Sequence, residues 1–127
     1  MPLVIINLRK GRRAAVKRAM ADAVHAALVA KLGIPTSDRF QLIREYDGDD
    51  FIHADAHLDL SYSADLVMLE IAFIEGRSDE VKKDLLRELN ARLTASAGLR
   101  PDDLFVVFHD VGRANVSFGK GLAQRAA

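Results

Sequence analysis

The sequence has no cysteine and no tryptophan, only two tyrosines, and no excess of charge of either sign. Without cysteine there is no disulfide framework and no thiolate chemistry. Eighteen acids balance eighteen Lys and Arg residues, so the basic footprint and stacking aromatics of a nucleic-acid binder are missing. No run approaches the ~18 consecutive apolar residues of a membrane span, and the amino-terminal stretch lacks the apolar segment of a signal peptide. The expectation is a cytoplasmic protein with neither nucleic-acid nor membrane partners.

What is present is globular in character. The chain has 127 residues, 50% of them hydrophobic and 28% charged. That suits one domain over 1–127, large enough to bury a core without covalent staples. Leu3 to Leu8 is apolar and β-prone, then Arg9, Lys10, Gly11, Arg12 and Arg13 form a turn. Between Arg13 and Leu32, Val16, Met20, Ala23, Val24, Ala27 and Leu28 recur at helical spacing, and Gly33 stands where a cap belongs. Phe40, Leu42 and Ile43 interleave with polar residues as in a half-buried strand ending near Glu45. Tyr46 to Tyr62 reads as loops and short strands around the acidic turn Asp47–Asp50.

Asp65 to Phe73 turns apolar again, as a buried strand would. A second helix is expected over Ser78 to Ala97, with Val81, Leu85, Leu86, Leu89 and Leu93 as its stripe and Gly98 as its cap. Leu104 to Phe108 is the fourth main strand, and residues 111–127 form a tail rich in Gly, Ser and Ala.

The two halves superimpose at an offset of 65 residues, which carries Gly11-Arg12 onto Gly76-Arg77 and Val16-Lys17 onto Val81-Lys82. The same register carries Gly33 onto Gly98, Asp38 onto Asp103 and Phe40 onto Phe105. The repeating unit is a strand, a Gly-Arg turn, a long helix, a glycine cap and a strand. Two such β-α-β units, over about 2–45 and 65–110, form an α/β fold: one four-stranded sheet with two helices. If both helices cover the same face, the other is left bare, and an apolar bare face implies a symmetric homo-oligomer.

Pro2 lies directly behind the initiator Met1. With Met1 retained, Pro2 merely starts a strand, where a missing N–H costs little. With Met1 removed, Pro2 carries a free secondary amine. An α-amino group titrates near ~7.7–8.0 in the open, and apolar burial or a nearby cation favours its neutral, basic form. Arg77 opens the second helix, where orphan N–H groups favour an anion, and its guanidinium suits a carboxylate. His53, Asp55 and His57 alternate along the chain, but three residues with no fourth make a poor metal site. No metal or cofactor is expected.

Pro2-Leu3, His25, Pro35 through Gln41, Gly76-Arg77-Ser78, and Ser117-Phe118-Gly119-Lys120-Gly121 with Ala123-Gln124 together resemble the tautomerase superfamily. Nearly the whole chain is covered, and the resemblance is nearest to the branch containing malonate semialdehyde decarboxylase. It implies a catalytic Pro2, Arg77 on a substrate carboxylate, Asp38 assisting the amine or activating water, and His25 and Phe118 in substrate binding. It also implies a four-stranded mixed sheet with two helices on one face, and a homotrimer acting on a small carboxylate. Two departures stand out: Ile74-Glu75 precede Gly76-Arg77 where that branch has a second arginine, and Val116 replaces a tryptophan. Keto–enol tautomerisation of a 2-oxo or enol acid is the first expectation. Decarboxylation of a 3-oxo acid and a non-catalytic oligomeric binding role are the alternatives.

Overall fold

In the computed structural model, residues 1–126 are described, so only Ala127 of the tail lies outside the described residues. The main strands are β1 (Leu3–Arg9) and β2 (Phe40–Tyr46), with α1 (Ala14–Leu32) between them. A short hairpin, β3 (Ala56–His57) and β4 (Leu60–Ser61), precedes β5 (Val67–Ile74). Then come α2 (Asp79–Ala97) and β6 (Leu104–Val111). The sheet order is β2-β1-β5-β6, with a central antiparallel pair flanked on each side by a parallel one.

The repeat is visible in the register itself. Leu3 pairs with Phe40, and its counterpart Met68 pairs with Phe105. In the central pair, Ile5 faces Glu70, its own counterpart at the 65-residue offset. An approximate two-fold axis therefore passes through the middle of the sheet and exchanges the two β-α-β units.

Both helices pack on the face formed by Val4, Ile6, Leu8, Leu69, Ile71 and Phe73. Leu85, Leu89 and Phe73 are 0% exposed, and burying each such side chain stabilises the fold by about 1.5–3 kcal/mol. The helix ends follow the sequence: Ser78 accepts a hydrogen bond from the Val81 amide at 3.2 Å, and Gly33 and Gly98 close the two helices in the left-handed conformation. Leu86 departs from the expected stripe and is 38% exposed. β6 runs three residues beyond Phe108, because His109, Asp110 and Val111 continue the pairing with Ala72, Phe73 and Ile74. Asp110 there binds Lys82 at 2.7 Å, a polar contact that hydrophobic patterning does not reveal.

The opposite face carries Leu3, Phe40, Leu42, Phe105 and Val107, 37–50% exposed. Across it runs one polar chain: Tyr46 donates to Asn7 Oδ1 at 2.7 Å, and Asn7 Nδ2 donates to Glu70 at 3.0 Å. An apolar hollow of about 470 Å³ lies over this face, lined in part by Phe51, Met68, Phe105 and Val107. Phe51 belongs to the irregular segment, which Arg9 fastens by donating to the Phe51 and Ala64 carbonyls at 2.7 and 2.8 Å. His53 is used up here, its two ring nitrogens 3.1 Å from Arg9 Nη1 and 2.7 Å from the Ala54 carbonyl. No helix among the described residues is long and apolar enough to cross a membrane.

Candidate active site

Strand register brings the amino terminus, Asp38 and Arg77 together. Leu3 pairs with Phe40 in parallel, so Met1 and Asp38, each two residues earlier, leave the sheet side by side. The Met1 amine lies 2.7 and 2.9 Å from the two Asp38 oxygens, with side chains 10% and 13% exposed. Leu3 pairs with Ala72 in antiparallel fashion, so the carboxyl end of β5 and the Gly-Arg turn after it reach the same edge. Gly76, at φ 120°, makes this turn in a conformation a side chain would strain. Arg12 follows the other end of β1 and emerges at the opposite edge.

Arg77 is half-buried and doubly anchored. Its Nη1 donates to the Ile74 carbonyl at 2.9 Å, and the guanidinium lies 5.3 Å from the centre of the Phe73 ring. One guanidinium edge is thus fixed while the remaining donors stay available. The cavity beside it, about 460 Å³, is lined by Met1, Asp38, Glu75, Arg77, Arg113 and Arg125 among others. It falls in the usual range for a small-molecule site.

An apolar space and a mixed one adjoin this charged one at the chain terminus. Pro2, Leu3, Phe40, Val116 and Phe118 line a space of about 230 Å³, and Met1 borders it. Met1, Phe40 and Phe118 also border a third, with Asp38 and Arg125. The Phe40 and Phe118 rings stand 6.1 Å apart. Pro2 itself is buried. Thus Pro2, Asp38, Arg77 and Phe118 gather around Met1.

His25 is not among the residues lining these spaces. Its Nε2 lies 2.8 Å from the Thr36 carbonyl, to which it donates. It ties α1 to the loop that carries Asp38, whose amide also donates to the Pro35 carbonyl at 3.0 Å.

The repeat's second copy of this arrangement is closed. The 65-residue offset maps Gly33, Ile34, Pro35 and Asp38 onto Gly98, Leu99, Arg100 and Asp103, and Arg77 onto Arg12. A smaller cavity of about 200 Å³ is lined by these counterparts. Here Leu66 stands where Met1 stands in the first copy, so the chain is continuous and no amine exists. Asp103, 0% exposed, instead accepts from the Ser63 amide at 2.9 Å, the Ser63 hydroxyl and Arg100 at 3.2 Å. Burial alone pushes its carboxyl up, but the Ser63 hydrogen bonds and the Arg100 charge outweigh that and leave it below the ordinary value. Arg12 is spent on the Asp65 carbonyl.

Sequence reasoning did not select Phe40, Glu75, Arg113 or Arg125 as site residues. Register alone turns Phe40 toward Phe118. The two arginines lie in segments with no hydrophobic period, where nothing in the linear order points at the terminus.

Two family models described as tautomerase enzyme match residues 2–59 and 38–119. The chain belongs to the tautomerase family. The Bacillus subtilis protein YusQ, described as a probable tautomerase, is 29% identical over 124 residues, covering 98% of each chain. A second such B. subtilis protein, YrdN, is 31% identical and covers 98% of this chain and 95% of its own. Among solved structures, a malonate semialdehyde decarboxylase superposes with a TM-score of 0.91 at 30% identity, over 98% of this chain and 95% of its own. FG41 malonate semialdehyde decarboxylase, inhibited by 3-bromopropiolate, gives 0.90 at 35% identity, over 98% and 94%. A fused 4-OT solved as a symmetric trimer gives 0.80 at 27%, over 98% of both chains. The tautomerase described here accordingly falls in the malonate semialdehyde decarboxylase-like branch.

Proposed function

We propose that this tautomerase works through the amine of Pro2, exposed by loss of Met1, on a small 2-oxo or enol carboxylate. The observation that carries the proposal is the terminus itself: the amine at Met1 rests on a half-buried carboxylate, in a cavity shared with an anchored arginine. Met1 borders all three spaces, so its removal would join a charged compartment to an apolar one. That combination suits a molecule with a carboxylate at one end and a reacting carbon at the other.

In the proposed reaction Arg77 holds the substrate carboxylate, aided by the amino-terminal end of α2. The neutral Pro2 amine takes the enol hydroxyl proton as the carbonyl forms, and the resulting ammonium delivers a proton to carbon, so the charge balances. Asp38 holds the amine in place and accepts its hydrogen bond. Phe118 and Phe40 keep water from the reacting carbon. His25 acts as a positioning residue, through Thr36 and the Asp38 loop. We further assign a homotrimer, on the strength of the open apolar face and the trimeric fused 4-OT relative.

Malonate semialdehyde decarboxylation is the second reading. It is favoured by Asp38 beside the amine and by the similarity to that decarboxylase, solved to account for decarboxylase and hydratase activities. Arg77 would hold the carboxylate that leaves as carbon dioxide. The test is intact mass followed by assay. Loss of Met1, ketonisation of phenylenolpyruvate, and at least a tenfold fall for Pro2→Ala are expected. Met1 retained in every molecule would rule out both enzyme readings in favour of a binding protein, and acetaldehyde release from malonate semialdehyde without ketonisation would select the second.

A further inference from the structure

The aromatic wall of the apolar space at Pro2 comes from a segment that the sheet does not hold. β6 ends at Val111, and after the single-turn helix Arg113–Asn115 the chain runs on through Val116, Ser117 and Phe118. Phe118 and Leu122 stay 40% and 58% exposed, so burial does little to decide where this loop lies. Hydrogen bonds must do it. Among the described residues, those of residues 116–122 are all made within residues 117–124. The loop is thus closed on itself, and it presents to the site the Phe118 ring, 6.1 Å from that of Phe40.

Two of these bonds come from one side chain. Gln124 Oε1 accepts from the Phe118 amide at 3.0 Å, and Gln124 Nε2 donates to the Gly119 carbonyl at 3.0 Å. One partner is a donor and the other an acceptor, which fixes the way the carboxamide points. Ser117 Oγ accepts from the Gly119 amide at 3.2 Å and donates to the Gly119 carbonyl at 3.1 Å. The Leu122 amide donates to the same carbonyl at 3.3 Å. Inside the clasp, Gly119, Lys120 and Gly121 stand at φ 143°, 58° and 68°. In Lys120 that conformation persists only where its surroundings impose it. Gln124 also borders the space shared by Asp38, Phe40 and Phe118.

We propose that Gln124 is a positioning residue of this site: by bonding on both sides of the Phe118–Gly119 step, it aims the Phe118 ring at Phe40 and keeps the space over Pro2 narrow. It acts through Phe118 and not on the substrate. Without it the loop keeps only the Ser117 contacts and the pairing of Gly119 with Leu122, and the ring is free to leave Phe40 and admit water. The catalytic consequence rests on the Pro2 reading above; the clasp does not, because it is read from amide exchange.

The test uses the chain with Met1 removed and the variant Gln124→Met, which keeps the length of the side chain and removes both bonds. The Phe118 amide, followed by nuclear magnetic resonance, is expected to exchange with solvent at least about fivefold faster in the variant, the yield of one lost hydrogen bond. Ketonisation of phenylenolpyruvate should fall at least about threefold in kcat/KM. In a Phe118→Ala background the same change should leave kcat/KM within about 1.5-fold, because the residue through which Gln124 acts is already gone. Gln124→Asn, one methylene too short to reach both partners, should behave as Gln124→Met does. Unchanged exchange at Phe118 overturns the clasp. Faster exchange with unchanged kcat/KM, or an equal loss of kcat/KM in the Phe118→Ala background, overturns the positioning role and leaves the Pro2 reading standing. If the wild type ketonises no enol, the Pro2 reading fails and the positioning role with it, while faster exchange in Gln124→Met still upholds the clasp.

Discussion

Asp103 and Asp38 occupy the same place in the two repeats, and changing each to asparagine should have opposite consequences. In Asp103→Asn the amide oxygen can replace Oδ1 and still accept from the Ser63 amide at 2.9 Å. The NH2 group then faces two donors, the Ser63 hydroxyl and Arg100 Nη1, where Oδ2 had accepted from both. A lost neutral hydrogen bond costs about 1 kcal/mol and one to a charged group about 1.5–3 kcal/mol. Arg100 is half exposed and can turn to water, so the sum is taken as about 3 kcal/mol. For a chain of this size each kcal/mol moves the melting midpoint by about 3–5 °C, giving a fall of about 10 °C near neutral pH.

The same change has a pH signature. The folded Asp103 carboxyl titrates below its ordinary value, so its stabilisation is present above the unfolded carboxyl pKa of about 3.9 and is lost as pH falls through the folded one. Asparagine does not titrate. The gap in midpoint between wild type and Asp103→Asn should therefore hold from neutral pH to about pH 5 and close below about pH 4. Calorimetric scans across that range measure it. A gap of under about 2 °C at neutral pH, or one undiminished at pH 3, would refute the reasoning. Asp38→Asn is expected to shift the midpoint less and to lower turnover at least tenfold, because its partner is the amine.

Other perturbations separate the roles within the site. Arg77→Ala should raise KM for an enol acid at least tenfold while leaving kcat within about threefold, the mark of lost ground-state binding, read from Michaelis curves. Phe118→Ala is expected to lower kcat/KM without changing the mass of the assembly, since its ring walls the apolar space at Pro2. Leu42→Glu places a charge on the open sheet face, where Leu42 is 47% exposed. Light scattering should then give a mass near the 14.0 kDa monomer, against a multiple of it for the wild type; an unchanged assembly would mean that another surface holds the oligomer.

Much of the fold was legible because it rests on local chemistry. Helical spacing, a serine cap before α2 and glycines after both helices set the elements, and the repeat at 65 residues set their order. The candidate site was legible only in part. Pro2, Asp38, Arg77 and Phe118 were selected and do gather around Met1, whereas His25 lies behind the Asp38 loop. Phe40, Arg113 and Arg125 were not selected. A strand residue's face toward a distant ring, and a tail arginine's place in a cavity, depend on pairings between segments far apart in sequence.

By itself, then, the sequence determined two β-α-β units of one pattern, each with a Gly-Arg turn and an aspartate after its helix. Which copy could become a site was decided by the tertiary structure. The antiparallel pairing of β1 with β5 sends Arg77 to the edge where the chain begins and Arg12 to the edge where it continues. At the first edge a terminal amine meets Asp38; at the second, Ser63 seals Asp103. The amine is present at one edge alone, so a symmetric fold holds one open candidate site and one closed counterpart.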